Sequence, residues 1–214
     1  MNLLSIRKCL VVTAHPDDAE LAVGGTIAKL AAAGAEVRIF ILTSSGNTAG
    51  ESALRLKAAE ASAAILGASV SYYRDGALKQ VTDEKQSVLV SGLDRVIADY
   101  APDLILTHHP EDSHEDHIAT GRAVISCSRR YSGTIAVFPP NEHRSCLNAG
   151  FHGNVLVDVS DHIDQKMQAI DTHNFDGKSY KELDLRLVRD FARYCGSRAS
   201  CGYAETLNLL QARW

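Results

Sequence analysis

Short apolar runs alternate along the chain with longer stretches of helical periodicity. Residues 8–13, 36–43, 69–73, 103–107, 134–138 and 154–159 read as strands. Helical patterns fall between them, over 26–33, 51–66, 83–99, 115–128, 161–172 and 180–195. Gly24-Gly25 precede the first helix, and Gly34 and Gly67 stop the first and second. An Arg74-Asp75-Gly76 turn follows the third strand, and Pro139-Pro140 end the fifth. This rhythm predicts an α/β, Rossmann-like single domain over 1–214: a mostly parallel sheet with helices on both faces. Sites in such sheets lie at the carboxyl ends of the strands.

Composition keeps that picture and narrows the partners. The chain has 214 residues, 45% hydrophobic and 22% charged, with a net charge of −4. It carries no block of like charge, so nothing points to nucleic acid. No apolar stretch is long enough to span a bilayer. Met1 to Lys8 lacks the apolar core and cleavage site of a signal peptide. Five scattered cysteines (Cys9, Cys127, Cys146, Cys195, Cys201), odd in number and without C-x-x-C, favour reduced thiols and a cytoplasmic setting.

The chemistry concentrates in two clusters, each just beyond an apolar strand. The first is Ala14-His15-Pro16-Asp17-Asp18-Ala19-Glu20. The side chains of adjacent Asp17 and Asp18 diverge, so one suits a metal and the other a water as general base. An Asp-rich N-cap explains the same residues about as well. Glu20 reads either as the partner of a histidine ligand or as a first-turn acid. The second cluster is His114-Glu115-Asp116-His117, preceded by Thr107-His108-His109-Pro110-Glu111-Asp112-Ser113. His114 and His117 share a helix face, and Asp116 is placed to orient an imidazole of either cluster. A solvated helix start with Ser113 as N-cap is the plainer reading. Two His and one Asp are what a catalytic zinc takes as ligands.

The first cluster resembles the AHPDD(x)E signature of the PIG-L/LmbE-like zinc-dependent N-deacetylases. Residues 107–117 are similar to that family's T-H-x-x-x-D-x-H-x-D-H block. Gly24-Gly25-Thr26, the strand Glu36 to Thr43, Arg55, Ile65-Leu66-Gly67, Arg74 to Leu78, Val157 to Ser160 and Lys166 echo it more weakly. The resemblance implies His15, Asp18 and His117 as zinc ligands and Asp17 as general base. It implies His114 as the group that stabilises the tetrahedral intermediate or protonates the amine, with Asp116 in support. Arg55 and Asp75 match positions near the substrate sugar. The implied reaction removes acetyl from an N-acetylglucosamine-type sugar or glycoside, and the implied assembly is a homo-oligomer. Zinc is the expected metal, and a two-His carboxylate site also accepts ferrous iron.

The chain departs from the family at His173-Asn174-Phe175-Asp176, where many relatives have H-x-S-Q. His143, His152, His162 and His173 read as surface or loop residues, with His143 and His152 able to line a pocket. The polar loop 141–153 reads as a cover over the site, and Tyr203-Ala204-Glu205 as structural. Two other functions compete. A phosphoesterase would need a second metal or a basic phosphate clamp. A carbohydrate-binding relative would not need the base Asp17.

Overall fold

The computed structural model describes residues 5–139, 151–174 and 185–212. Within the described residues seven strands form the sheet in the order β3-β2-β1-β4-β5-β7-β6. They are β1 (Lys8–Thr13), β2 (Glu36–Ile41), β3 (Ser69–Tyr72), β4 (Leu104–His108), β5 (Thr134–Phe138), β6 (Val155–Asp158) and β7 (Ala204–Gln211). The first five pair in parallel, and β7 runs antiparallel to β5 and β6. Among the described residues six α-helices accompany them: α1 (Asp18–Ala32), α2 (Ala49–Leu66), α3 (Gln86–Tyr100), α4 (Glu115–Cys127), α5 (Ile163–Asp171) and α6 (Leu185–Ala199).

Both faces of the sheet are covered, as the continuous apolar strands require. Cys9, Val11, Ile39 and Leu106 pack with α1, α2 and α5 residues such as Ile27, Leu66 and Ala169. Leu10, Val12, Phe40 and Ile105 pack on the other side with Leu89, Leu93, Ala123 and Val124 of α3 and α4. Gly34 (φ 89) and Gly67 (φ 73) end α1 and α2 in the left-handed conformation that glycine adopts without strain.

Three expectations need correction. The first helix begins at Asp18, so Gly24-Gly25 lie inside it; the backbone leaves helical geometry only at Val23 (φ −135, ψ 21). β7 is a strand beyond those expected, and Leu207 and Leu209 alternate in it with Thr206 and Asn208. The N-cap of α4 is His114 rather than Ser113. Residues 175–184, which include the opening of the expected helix 180–195, lie outside the described residues, as do His143, Cys146 and most of loop 141–153.

The connectivity places the site. The chain leaves β1 for β2 and β3 on one side, then returns to β4 and β5 on the other. The loops after β1 and β4 therefore diverge over one crevice, the place where open α/β sheets bind ligands.

Candidate metal centre at the switch point

His15 follows β1 by two residues and is 8% exposed; His117 lies in the first turn of α4 and is 5% exposed. Asp18 opens α1 and accepts the His15 backbone N–H on Oδ2 at 2.8 Å. The two clusters meet here across the crevice. His15 Nδ1 stands 3.2 Å from His117 Nε2. Asp18 Oδ1 is 3.3 Å from His117 Nε2, and its Oδ2 is 3.5 Å from His15 Nδ1.

One ligand atom from each of the three side chains lies within reach of a common metal, with Asp18 turning a different oxygen to each histidine. At ligand distances near 2.0–2.1 Å, the edges of a tetrahedral site are about 3.3–3.4 Å long. The remaining ring nitrogens are already committed. His15 Nε2 lies 3.0 Å from Asp116 Oδ2, and His117 Nδ1 lies 3.0 Å from Asp112 Oδ2. Each carboxylate can only accept, so each holds the ring proton on its own side. The lone pairs of His15 Nδ1 and His117 Nε2 are thereby turned towards each other and towards Asp18.

The electrostatics of the site call for a cation. Burial opposes a charge on His15, but hydrogen bonds to Asp116 and Asp18 overcome it and raise the imidazole to about 9. Burial likewise opposes a charge on His117, and Asp18 and Asp112 raise it to about 10. Burial alone would raise the Asp18 carboxyl, yet the charge of His117 holds it well below the usual carboxylate range. A divalent ion held by His15, Asp18 and His117 meets the same field without needing either proton.

Asp17 sits beside this set as the N-cap of α1, but its side chain makes no capping bond. Its φ of 108° lies in the left-handed range, a strained place for a residue with a Cβ. The capping explanation of the Asp-Asp pair therefore covers the position and not the side chain. Burial raises the Asp17 carboxyl and Asp18 pushes it further, against Arg55, His173 and His15. That is the direction a general base requires. Arg55 lies 3.8 Å from Asp17 Oδ2 and donates to the Pro16 carbonyl at 3.4 Å.

His114 lies open to solvent and stacks on His117 with centroids 4.6 Å apart. Its Nδ1 accepts the Asp116 backbone N–H at 3.2 Å, which leaves Nε2 to carry the proton of the neutral ring. Burial, His117 and His15 all lower its pKa. Asp116 supports both histidines, His15 through its carboxylate and His114 through its amide. Asp75 has no described contact with the cluster; it is exposed on a turn where Arg74 (φ 45) and Asp75 (φ 54) are both left-handed.

Sequence reasoning missed three members of the site. Asp112 is the first, and its other oxygen accepts the His114 backbone N–H at 3.1 Å. His108 is fully buried, stacks on His117 at 4.1 Å and accepts the Ala14 N–H at 3.1 Å. Burial lowers its pKa to about 4, so the ring stays neutral. His173, expected at the surface, is 3% exposed. Its Nε2 lies 3.5 Å from Glu20, which also takes a short hydrogen bond from Ser62. Glu20 thus partners a histidine, though neither His15 nor His117. Only a polar residue ending an apolar strand, in the case of His108, could have signalled these roles.

Known proteins resemble the chain in sequence and fold. The chain is 29% identical to a diacetylchitobiose deacetylase from Thermococcus kodakarensis, over 96% of this chain and 84% of that protein. It is 26% identical to a 1D-myo-inositol 2-acetamido-2-deoxy-alpha-D-glucopyranoside deacetylase from a Mycobacterium species, over 62% of this chain and 54% of that protein. The chain therefore spans only about half the length of the latter. Among solved structures, an N,N'-diacetylchitobiose deacetylase from Pyrococcus horikoshii superposes with a TM-score of 0.80 at 24% identity, covering 96% of this chain and 84% of that one. GalB, a 4-carboxy-2-hydroxymuconate hydratase from Pseudomonas putida, superposes with a TM-score of 0.79 at 21% identity, covering 97% and 98%. Both superpositions show a shared fold, and the second shows that the fold also serves a different reaction class. The model of the PIG-L family, described as GlcNAc-PI de-N-acetylase, matches residues 10–128 and so takes in both clusters; the chain belongs to that family.

Proposed function

We propose that this chain is a zinc-dependent N-deacetylase that hydrolyses the acetamide of an N-acetylglucosamine-type sugar or glycoside, releasing acetate and the amino sugar. The observation that carries this reading is the juxtaposition of Asp17, strained and not engaged in capping, with the facing side chains of His15, Asp18 and His117. Family membership and the deacetylase relatives support it. His15, Asp18 and His117 hold the metal in the proposal. When bound there, zinc lowers the pKa of a water to about 7 and polarises the amide carbonyl.

The side chains divide the remaining work. Asp17 takes a proton from the attacking water. Its raised pKa lets it keep that proton long enough to pass it to the amine, which leaves poorly as an anion. His114, neutral with Nε2–H directed outward, donates a hydrogen bond to the developing oxyanion. Asp112 and Asp116 keep His117 and His15 in the ligating tautomer. Arg55, 3.8 Å from Asp17, offsets part of the rise that burial and Asp18 impose on its carboxyl. Asp75 is proposed, on family resemblance alone, to meet the sugar.

The described residues share one sheet with a core on each face, which supports a single domain over 1–214. Cys9, Cys127, Cys195 and Cys201 are free thiols, which supports a reducing, cytoplasmic setting. No described helix is long and apolar enough to cross a membrane.

The test is a mass-spectrometric screen of N-acetylated sugars and glycosides with added zinc and with chelator. Zinc-dependent loss of acetyl supports the reading. No loss across the panel, with zinc bound, would overturn it. Hydration, the class of the GalB fold match, is read in the same screen from unsaturated carboxylic acids that gain the mass of water.

A further inference from the structure

Outside the histidine cluster, the described residues bury one Lys–carboxylate pair. Lys166 on α5 is 2% exposed and Glu205 on β7 is 3% exposed. Lys166 Nζ donates to Glu205 Oε1 at 2.6 Å. Glu205 also accepts the Gly25 N–H at 2.9 Å, the Thr26 N–H at 2.7 Å and the Thr26 hydroxyl at 2.6 Å. One carboxylate thus answers four donors, three of them on α1.

Those three bonds coincide with the break in α1. In an unbroken helix the amides of Gly25 and Thr26 bond the carbonyls of Leu21 and Ala22. Here they reach Glu205, just beyond the non-helical Val23. α1 is therefore two helices in series. The second, from Gly24 onward, has Glu205 as an N-terminal anion supplied from another element. The first is a single turn that carries Asp18 and Glu20. The glycines make the approach possible: a Cβ on Gly24 would lie 3.0 Å from Lys166 Cγ, and one on Gly25 would lie 2.8 Å from Val159 Cβ.

We propose that Glu205, neutralised by Lys166, is a positioning residue for the metal centre, sustaining the break at Val23 that aims the Asp17-Asp18 turn at His15 and His117. The proposal rests on the metal-binding half of the function above and not on the substrate. Asp18 precedes Val23 by five residues, about 7.5 Å along a helix axis. Straightening a kink of about 20° would swing it by roughly 2.6 Å. Metal sites hold their ligand distances to about 0.2 Å.

The double variant K166M/E205L tests this, because replacing a buried ion pair with apolar side chains of similar size commonly leaves stability intact. Three readouts are needed on the full chain: zinc affinity by competition with a chelator well below the unfolding temperature, Tm without metal, and the amide NMR shifts of Gly25 and Thr26. The expected result is a cooperatively folded protein with changed Gly25 and Thr26 shifts and zinc binding weaker by about tenfold or more. Folded protein with the parent zinc affinity would overturn the proposal, since a purely structural pair would change Tm alone. If the double variant does not fold, E205Q, which keeps one acceptor, is read the same way: weaker zinc binding supports the role and parent affinity overturns it. A parent protein that binds no zinc would instead overturn the metal-binding reading itself.

Discussion

Replacing Asp112 with Asn changes one atom and no volume, and its effect follows from acceptor counting. The Asp112 side chain is fully buried. One oxygen accepts the His114 N–H at 3.1 Å and the other meets His117 Nδ1 at 3.0 Å. Asn has one acceptor oxygen for these two donors. If the NH2 turns towards His117, the imidazole must accept there, and its proton moves to Nε2, onto the lone pair that faces the metal. If the NH2 turns towards His114, two donors collide at the start of α4. The first outcome removes a ligand and the second distorts the turn that carries it. Loss of such an outer partner costs about 10–100-fold in metal affinity, or about 1.4–2.7 kcal/mol. The assay is zinc competition against a chromophoric chelator at constant pH. His152→Asn, at an exposed histidine, serves as the control with unchanged affinity. Parent affinity in Asp112→Asn would refute the tautomer argument and with it the assignment of His117 Nε2 as a ligand atom.

Asp17→Asn should keep zinc stoichiometry and lose at least about 100-fold in turnover; full turnover would remove Asp17 from the role of base. His117→Ala should abolish stoichiometric zinc, as measured by atomic emission after gel filtration. The metal-free protein should also lose stability as pH rises. His15 is raised from 6.5 to about 9 and His117 from 6.5 to about 10, so the folded state binds more protons than the unfolded state across that window. Their contribution is complete below about pH 6.5 and is lost as pH climbs through 9 and 10. Tm measured with chelator should fall over that range, and saturating zinc should flatten the trend; a flat metal-free profile would contradict the proposed proton occupancy. Gly121→Ala should destabilise by about 1–3 kcal/mol in urea unfolding, because its Cβ would sit 2.5 Å from the His108 carbonyl, a backbone atom at the end of β4.

The strands and the two clusters were legible because each is a local pattern. β1 and β4 are continuous apolar runs, and the residues after them are polar in a dense and unusual order. The roles of Asp112 and His108 were not legible, because they depend on which nitrogen of which ring lies nearby, and that is settled only when β1 and β4 pair. The start of α1 is hidden in the sequence for a similar reason. Gly24-Gly25 read locally as a helix boundary, yet a carboxylate 180 residues away supplies the bonds that keep helix on both sides of the break. His173 looked like a surface residue because its partner Glu20 lies far back along the chain. Burial of a lone polar residue is a tertiary fact, and periodicity does not report it.

The order of strands in the sheet also bears on when the metal can arrive during synthesis. His15 and His117 are 102 residues apart in sequence, yet their ring nitrogens meet. A nascent chain that ends after β3 presents His15 and Asp18 with no third ligand. Two loose ligands on an unfinished sheet hold zinc weakly, because the ordering of the chain has still to be met. The centre becomes competent only once β4 has docked beside β1 and the first turn of α4 has formed. Stable zinc uptake by ribosome-bound chains should therefore begin abruptly, after residue 117 has left the exit tunnel, and would mark the closing of the two halves of the sheet.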